Sequence, residues 1–271
     1  MPKVSVIMGV YNANDENILR KAILSILDQT FKDFEFIICD DGSTNNSLEM
    51  VKKLTQNDRR VKLIKNKENK GLAYTLNKCL EIAKGEYIAR MDSDDISEKN
   101  RFEEQVKILD ESPQIGVVNL NAYLFDENGK WGEEKHSEII EKEDFLYNNP
   151  IVHPAVMVRR SAYDKVGGYR DIKMTYRVED YDLFMRMYCN NIKMITIQDF
   201  LFNYREDENA IKRRKFKYRL NEMKVRYFGF KNMGLLEKRS NYFYVIKPII
   251  TSIVPKRIYK KMKKWRKNEK K

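Results

Sequence analysis

Cysteine is scarce in this chain: Cys39, Cys79 and Cys189 are the only three in 271 residues. An odd number at wide spacing fits neither a disulfide framework nor a cysteine-based metal site, and it points to a reducing compartment. Each of the three falls in an apolar-periodic segment and reads as a small core residue. No apolar run reaches the roughly 20 residues that a helix needs to cross a bilayer. The longest candidate, Phe243 to Val254, is broken by Lys247 and Pro248. The N-terminus enters a strand pattern almost at once, with no basic-then-apolar leader, so the expected location is cytoplasmic. A glycine-rich phosphate loop with its own Lys or Arg is also lacking. Gly9-Val10-Tyr11-Asn12 stands where one would begin, which argues against a nucleotidyltransferase. No internal repeat or low-complexity segment precedes the C-terminal tail.

What is present is a large apolar complement and an uneven charge. Apolar residues make up 42%, with 13 Phe and 16 Tyr, enough for a sizeable core. Net charge is +12, but Arg205 to Lys271 holds 23 Lys and Arg against 6 Asp and Glu, which leaves the rest of the chain at −5. A basic tail of that strength calls for an anionic partner. Within it Ile258, Tyr259, Met262 and Trp265 share one helical face with Lys and Arg around the rest, the pattern of an interfacial amphipathic helix on anionic lipid. A solvated basic terminus is the plainer reading. A nucleic-acid-binding protein is a further alternative, disfavoured by the acidic body and the lack of any nucleic-acid motif.

The first two-thirds alternate strand and helix. Val4 to Val10 is a short buried strand. Ile18, Leu19, Ala22, Ile23, Ile26 and Leu27 repeat with helical spacing. Strand patterns recur at Phe34 to Cys39, Val61 to Ile64 and Tyr87 to Met91, separated by helical patterns through Leu48 to Leu54 and Leu72 to Ala83. Four such units predict a parallel sheet flanked by helices, with ligands bound beyond the carboxyl ends of the strands. Three polar clusters fall there: Tyr11-Asn12-Ala13, Asp40-Asp41-Gly42-Ser43 and Asp92-Ser93-Asp94-Asp95. After Pro113 the alternation weakens to strands at Ile115 to Phe125, Val156 to Val158 and Ile192 to Ile197, a hairpin opening at Trp131, and a helix at Asp180 to Cys189.

Three carboxylates within four residues at a strand end repel one another, and a hard divalent cation would neutralise them. The plainer reading is an acidic turn before a helix. The surrounding pieces decide between the two. In order, Tyr11-Asn12-Ala13, Cys39-Asp40-Asp41-Gly42-Ser43, Arg90-Met91-Asp92-Ser93-Asp94-Asp95 and Val178-Glu179-Asp180-Tyr181-Asp182-Leu183 resemble the family 2 glycosyltransferases of the GT-A fold. Asn69-Lys70-Gly71-Leu72-Ala73, Ala83-Lys84-Gly85-Glu86-Tyr87-Ile88, Asn149-Pro150-Ile151-Val152-His153-Pro154 and Gly167-Gly168-Tyr169 agree. The likeness covers roughly residues 3 to 205.

The resemblance implies an inverting transferase that uses a nucleotide sugar, expected to be a UDP-sugar, and a divalent metal, Mn²⁺ or Mg²⁺. It implies an α/β GT-A domain over residues 1–205 and leaves 206–271 as a basic helical, membrane-associating tail. Asp40 can accept from a uracil N–H, Tyr11 can stack on the base, and the backbone at Val10 and Asn12 can bond it. Asp41 and Ser43 read equally as nucleotide contacts or an Asx turn. Asp92 is placed for ribose hydroxyls with Ser93 beside it, and Asp94, then Asp95, for the metal. Asp180 matches the family's general base, with Glu179 as second choice; without that likeness Asp180 could be a helix N-cap. Asp182 reads as a surface or supporting residue. His153 could touch diphosphate or acceptor, ligate metal, or be structural, while His136 reads as solvated. Arg90 is expected to pair with a nearby carboxylate. The implied acceptor is a lipid-linked or growing surface saccharide, as in capsule, O-antigen or other lipopolysaccharide assembly, at the cytoplasmic face of the membrane.

Overall fold

The computed structural model describes residues 1–206 and 215–253. The stripe at Ile258 to Trp265 therefore lies outside the described residues.

Strands β1 (Val4–Val10), β2 (Phe34–Asp40), β3 (Val61–Lys65) and β4 (Tyr87–Asp92) pair in the order β3-β2-β1-β4, all parallel. Helices α1 (Glu16–Leu27), α2 (Ser47–Thr55) and α3 (Leu72–Ile82) supply the crossovers. A strand's period of two sends alternate side chains to opposite faces. Val4, Val6, Met8, Phe36, Ile38, Ala89 and Met91 therefore meet Leu19, Ile23 and Ile26 of α1 on one side. Ile7, Ile37, Cys39 and Ile88 meet Leu76 and Cys79 of α3 on the other. Each fully buried aliphatic or aromatic side chain contributes about 1.5–3 kcal/mol of apolar transfer, so this two-faced burial fixes the register. The register in turn sets Val10 beside Asp40 and Gly9 beside Asp92 at one edge.

Beyond β4 the sheet becomes mixed. It continues β4-β8-β6-β9-β5, with β5 (Ile96–Ser97), β6 (Ile115–Asp126), β8 (Met157–Arg159) and β9 (Lys193–Arg205), and β7 (Gly129–Glu134) forms a hairpin with β6. Only the β6–β9 pair is parallel in this half. Strand β9 runs eight residues past the Ile197 expected from the apolar pattern. The register shifts where Leu120 pairs Ile197 but Asn121 pairs Phe200. Gln198 and Asp199 bulge out there, exposed, and end the period-two signal.

Helices α4 (Arg101–Glu111), α5 (Asp144–Tyr147), α6 (Arg160–Val166) and α7 (Glu179–Cys189) complete the first 206 residues. Two more, α8 (Phe216–Asn232) and α9 (Tyr242–Ile253), come from the segment expected to be a separate tail. They and the turn between them add Val225, Phe230, Met233, Leu235 and Val245 to the same core as Leu183, Phe184 and Met187 of α7. Over the described residues 215–253 the segment is thus packed onto the α/β body. Cys39 and Cys79 are buried as expected, but Cys189, at the end of α7, is exposed. His136 is half-buried rather than solvated, and its N–H donates to Asn121 Oδ1 at 2.9 Å.

Candidate active site

The β1 and β2 termini form one wall. Asp40 is fully buried; its Oδ1 accepts from the Ser43 N–H at 3.0 Å, and its Oδ2 is buried without a hydrogen-bond partner. A carboxylate oxygen left unpaired in a protein interior is costly, and a base N–H is the kind of donor that relieves it. Asn12 sits at φ 45°, a left-handed conformation that asparagine tolerates. Its N–H donates to Ser43 Oγ at 3.0 Å and its Oδ1 accepts from the Thr44 N–H at 2.9 Å, which holds the two loops together. Tyr11 beside it is 49% exposed. The Val10 side chain is buried, and its carbonyl accepts from the Asp41 N–H at 2.8 Å.

The Asp41 carboxylate is occupied by the protein's own donors. Its Oδ1 accepts from Asn66 Nδ2 and the Lys70 N–H, both at 2.8 Å. Its Oδ2 accepts from Asn69 Nδ2 and the Gly71 N–H, both at 2.9 Å. Four donors fill the roughly four lone-pair positions of a carboxylate, so Asp41 organises the turn into α3. Gly42 is required beside it: at φ 67° a Cβ would lie 2.3 Å from the Glu68 carbonyl carbon.

The end of β4 forms the floor. Asp92, Asp94 and Asp95 bring carboxylate oxygens within 4.8 Å of one another, with Ser93 half-buried between them. Asp92 pairs with the buried Arg90 guanidinium at 2.5 Å, as expected for Arg90. Asp95 Oδ1 accepts from the Arg205 N–H at 2.7 Å, and Arg205 Nε donates to the Asp94 carbonyl at 3.1 Å. The other Asp95 oxygen is buried without a hydrogen-bond partner. Burial, then the Asp92 and Asp94 charges, push the Asp95 carboxyl well above the ordinary range. Oxygen donors around a hard cation lie about 2.0–2.6 Å from it, so oxygens within 4.8 Å of one another can share one ion. The donor set fits Mg²⁺ or Mn²⁺. His153 is not part of this group.

The opposite wall is the first turn of α7. Its N-cap is Val178, so Asp180 is not the cap. Asp180 is half-buried, and its Oδ2 accepts from Asn149 Nδ2 at 2.9 Å. Burial raises its carboxyl, while hydrogen bonds and the Arg90 charge oppose the rise. Glu179 is buried, and burial followed by the Asp180 charge pushes its carboxyl up to about 7. Asp182 supports the helix from the other side, held by Arg170 at 3.2 Å and Arg186 at 2.7 Å. His153 is buried, with Nε2 2.7 Å from the Tyr169 hydroxyl and its ring against Phe184. Burial and the Arg90 charge push it well below the ordinary imidazole range, so it stays neutral.

Arg90 thus acts on both acidic groups: it pairs with Asp92, and its charge opposes the rise of the Asp180 carboxyl. Nothing in the sequence marks that position, nor the Asn149 bond to Asp180. Asn149 lies 31 residues away along the chain and Arg205 lies 110 from Asp95. A cavity of about 280 Å³, lined in part by Lys165, Arg170, Asp182 and Phe228, lies between α6, α7 and α8; of the site carboxylates only Asp182 lines it.

The family model described as glycosyl transferase family 2 matches residues 5–167. The chain is 39% identical over 266 residues to EpsE of Bacillus subtilis (strain 168), which carries a glycosyltransferase name, covering 98% of this chain and 94% of that one. It is 33% identical over 211 residues to the O-antigen biosynthesis glycosyltransferase WbnJ of Escherichia coli, covering 74% and 79%. Among solved structures it is similar to S. aureus TarS 1–349 in complex with UDP, at a TM-score of 0.65 and 20% identity over 89% of this chain and 74% of that one.

Proposed function

The chain belongs to glycosyltransferase family 2, with the GT-A fold of its structural neighbours, and from that premise we propose that it is an inverting, metal-dependent transferase. The donor is a UDP-sugar. The acceptor is a saccharide hydroxyl on a lipid-linked or surface glycan, at the cytoplasmic face of the membrane. One observation carries this reading: a compact acidic group at the end of β4 is paired with Arg90, and the charge of that same Arg90 acts on a separate, partly buried carboxylate on α7.

The two groups divide the labour. Asp40 accepts from the uracil N–H with the oxygen that has no protein partner, and Tyr11 stacks on the base beside the loops that Asn12 holds together. Asp92 and Ser93 face the ribose. Asp94 and Asp95, with Asp92 adjacent, would hold Mn²⁺ or Mg²⁺. A cation bound there offsets the charge that develops on the UDP leaving group. Asp180 takes the proton of the acceptor hydroxyl. The acceptor oxygen bonds the anomeric carbon as the carbon–oxygen bond to UDP breaks, with the electron pair leaving on the β-phosphate. Attack opposite the leaving group inverts the anomeric centre. Asn149 fixes the Asp180 carboxylate, and Glu179 is the nearest substitute base. The O-antigen role in the name of WbnJ supports a glycan acceptor, and the UDP in TarS supports the donor. The basic segment after α9 supports peripheral attachment to anionic membrane. Among the described residues no helix is long and apolar enough to cross a membrane.

The deciding experiment measures donor hydrolysis and transfer across a panel of UDP- and GDP-sugars, with Mn²⁺ and with excess EDTA. Product anomer is read by NMR. Metal-dependent turnover of a UDP-sugar with inversion is expected. Retention at the anomeric centre, or full activity in EDTA, would overturn the mechanism.

A further inference from the structure

Helix α9 presents an uncharged face to solvent. Tyr242, Phe243, Ile246 and Ile250 are 48%, 54%, 47% and 45% exposed. At about 100° per residue these positions fall within an arc of about 100°. The inward side of the helix is already satisfied, with Val245 buried in the core. The only charged side chain on α9, Lys247, donates to the Tyr147 carbonyl at 2.9 Å. Tyr147 extends the patch: it is 57% exposed and stacks edge-on against Tyr244 at 5.4 Å. A contiguous exposed apolar face of this kind marks a contact surface.

Charge selects the partner. Lys238 and Arg239 precede the helix, and Lys256, Arg257, Lys260 and Lys261 follow it in the sequence. A second copy of the chain would bring +12 against +12, with the same basic flanks set against each other. An anionic bilayer accepts both parts, apolar side chains below the headgroups and basic residues among them.

We infer that the exposed face of α9 is the surface that lies on anionic lipid, and that it sets the catalytic-base side of the site at the bilayer. This rests on the peripheral-membrane part of the preceding proposal and deepens it. The bonded path is short. α9 holds Tyr147 through Lys247, and Arg226 of α8 donates to the carbonyls of both Leu146 and Tyr244. Asn149 follows Tyr147 by two residues, a span of at most about 7 Å, and it holds Asp180. An acceptor anchored in the same bilayer would then present its hydroxyl on the Asp180 side at headgroup depth.

The test uses the full chain and vesicles of phosphatidylcholine with one-third phosphatidylglycerol, at about physiological salt. Ile250→Glu and Ile246→Glu are compared with Ser252→Glu, which adds the same charge to the same helix on another side. Partitioning in co-sedimentation is expected to fall about tenfold or more in each isoleucine variant, from the lost burial of a large aliphatic side chain, and much less in Ser252→Glu. Donor hydrolysis in solution reports that the variants remain folded. A separate variant, Phe243→Trp with Trp265→Phe, places an indole on the face beside the remaining Trp131, and its emission in excess of Trp265→Phe alone is expected to be quenched by brominated lipid. Equal loss in all three glutamate variants, wild-type binding by the isoleucine variants, or an unquenched indole would overturn the assignment of α9. So would a wild-type dimer in sedimentation velocity that Ile246→Glu abolishes, which would make the face a contact between copies. If wild-type protein itself fails to sediment, the peripheral-membrane reading falls, and this inference with it.

Discussion

Glu179→Gln tests whether the α7 wall holds a carboxyl away from its preferred ionisation state. Glu179 is buried, and its carboxyl moves from an ordinary 4.5 to about 7, first by burial and second by the Asp180 charge. The folded protein therefore binds this proton more tightly than the unfolded chain does. The stability this group contributes is present below the unfolded value of 4.5, declines as pH rises, and is lost once pH passes about 7. Two and a half decades of proton affinity correspond to about 3 kcal/mol, a sizeable share of a typical total of about 5–15 kcal/mol. Glutamine keeps the shape and cannot ionise. In urea denaturation Glu179→Gln is expected to match wild type near pH 4.5 and to be more stable by about 3 kcal/mol near pH 8. Carboxyls that do not interact with Glu179 cancel in that difference, and Asp180, its coupled neighbour, is the one that does not. A stability gap that is the same at both pH values would refute the reasoning, because it would reflect packing rather than ionisation. A variant less stable than wild type near pH 8 would refute it as well.

Asp180→Asn is expected to lower turnover by about 10²-fold or more while leaving UDP affinity near wild type; a parallel fall in UDP affinity and thermal stability would make Asp180 a support residue. Asp94→Asn should weaken Mn²⁺-dependent UDP binding sharply, since an amide is a poor ligand for a hard cation, and calorimetric titration with and without Mn²⁺ reads this directly. Asp41→Ala should act on the fold, because four donors lose their acceptor at once: a loss of about 3 kcal/mol or more is expected in denaturation, and wild-type stability with only donor affinity reduced would return Asp41 to the nucleotide site.

The donor half of the molecule was legible because its signals are local. Buried parallel strands read as apolar runs, and the acidic clusters at the ends of β2 and β4 fall where such sheets bind ligands. What could not be read was which neighbour of an adjacent pair is filled by the protein's own donors. Asp40 and Asp41 look alike in sequence, yet one keeps an unpaired oxygen and the other is filled by the turn into α3. The acceptor half depends on contacts between distant residues. Asn149 gives no sign that it holds Asp180, and the bulge at Gln198 and Asp199 hides the second half of β9. His153, a lone histidine before a proline, reads more readily as structural than as a ligand, and its burial against Tyr169 and Phe184 is a property of packing, not of composition. The basic segment after residue 205 was visible as charge, but its helices α8 and α9 carry inward faces that bind them to α7.

The hydrogen bond from the Arg205 backbone to Asp95 joins residues 110 apart. On a ribosome adding about 5–20 residues per second, the acidic turn emerges roughly 5–20 s before the strand that completes it. The β1 to β4 pairings close early, because their partners are near in the chain. The carboxylates wait for the far end of β9, and until it docks they repel one another with no backbone donor to hold Asp95 in place. Completion of the candidate site is thus among the later steps in the folding of the nascent chain. A chain that stalls short of Arg205 would hold every acidic residue of the site and still lack the site.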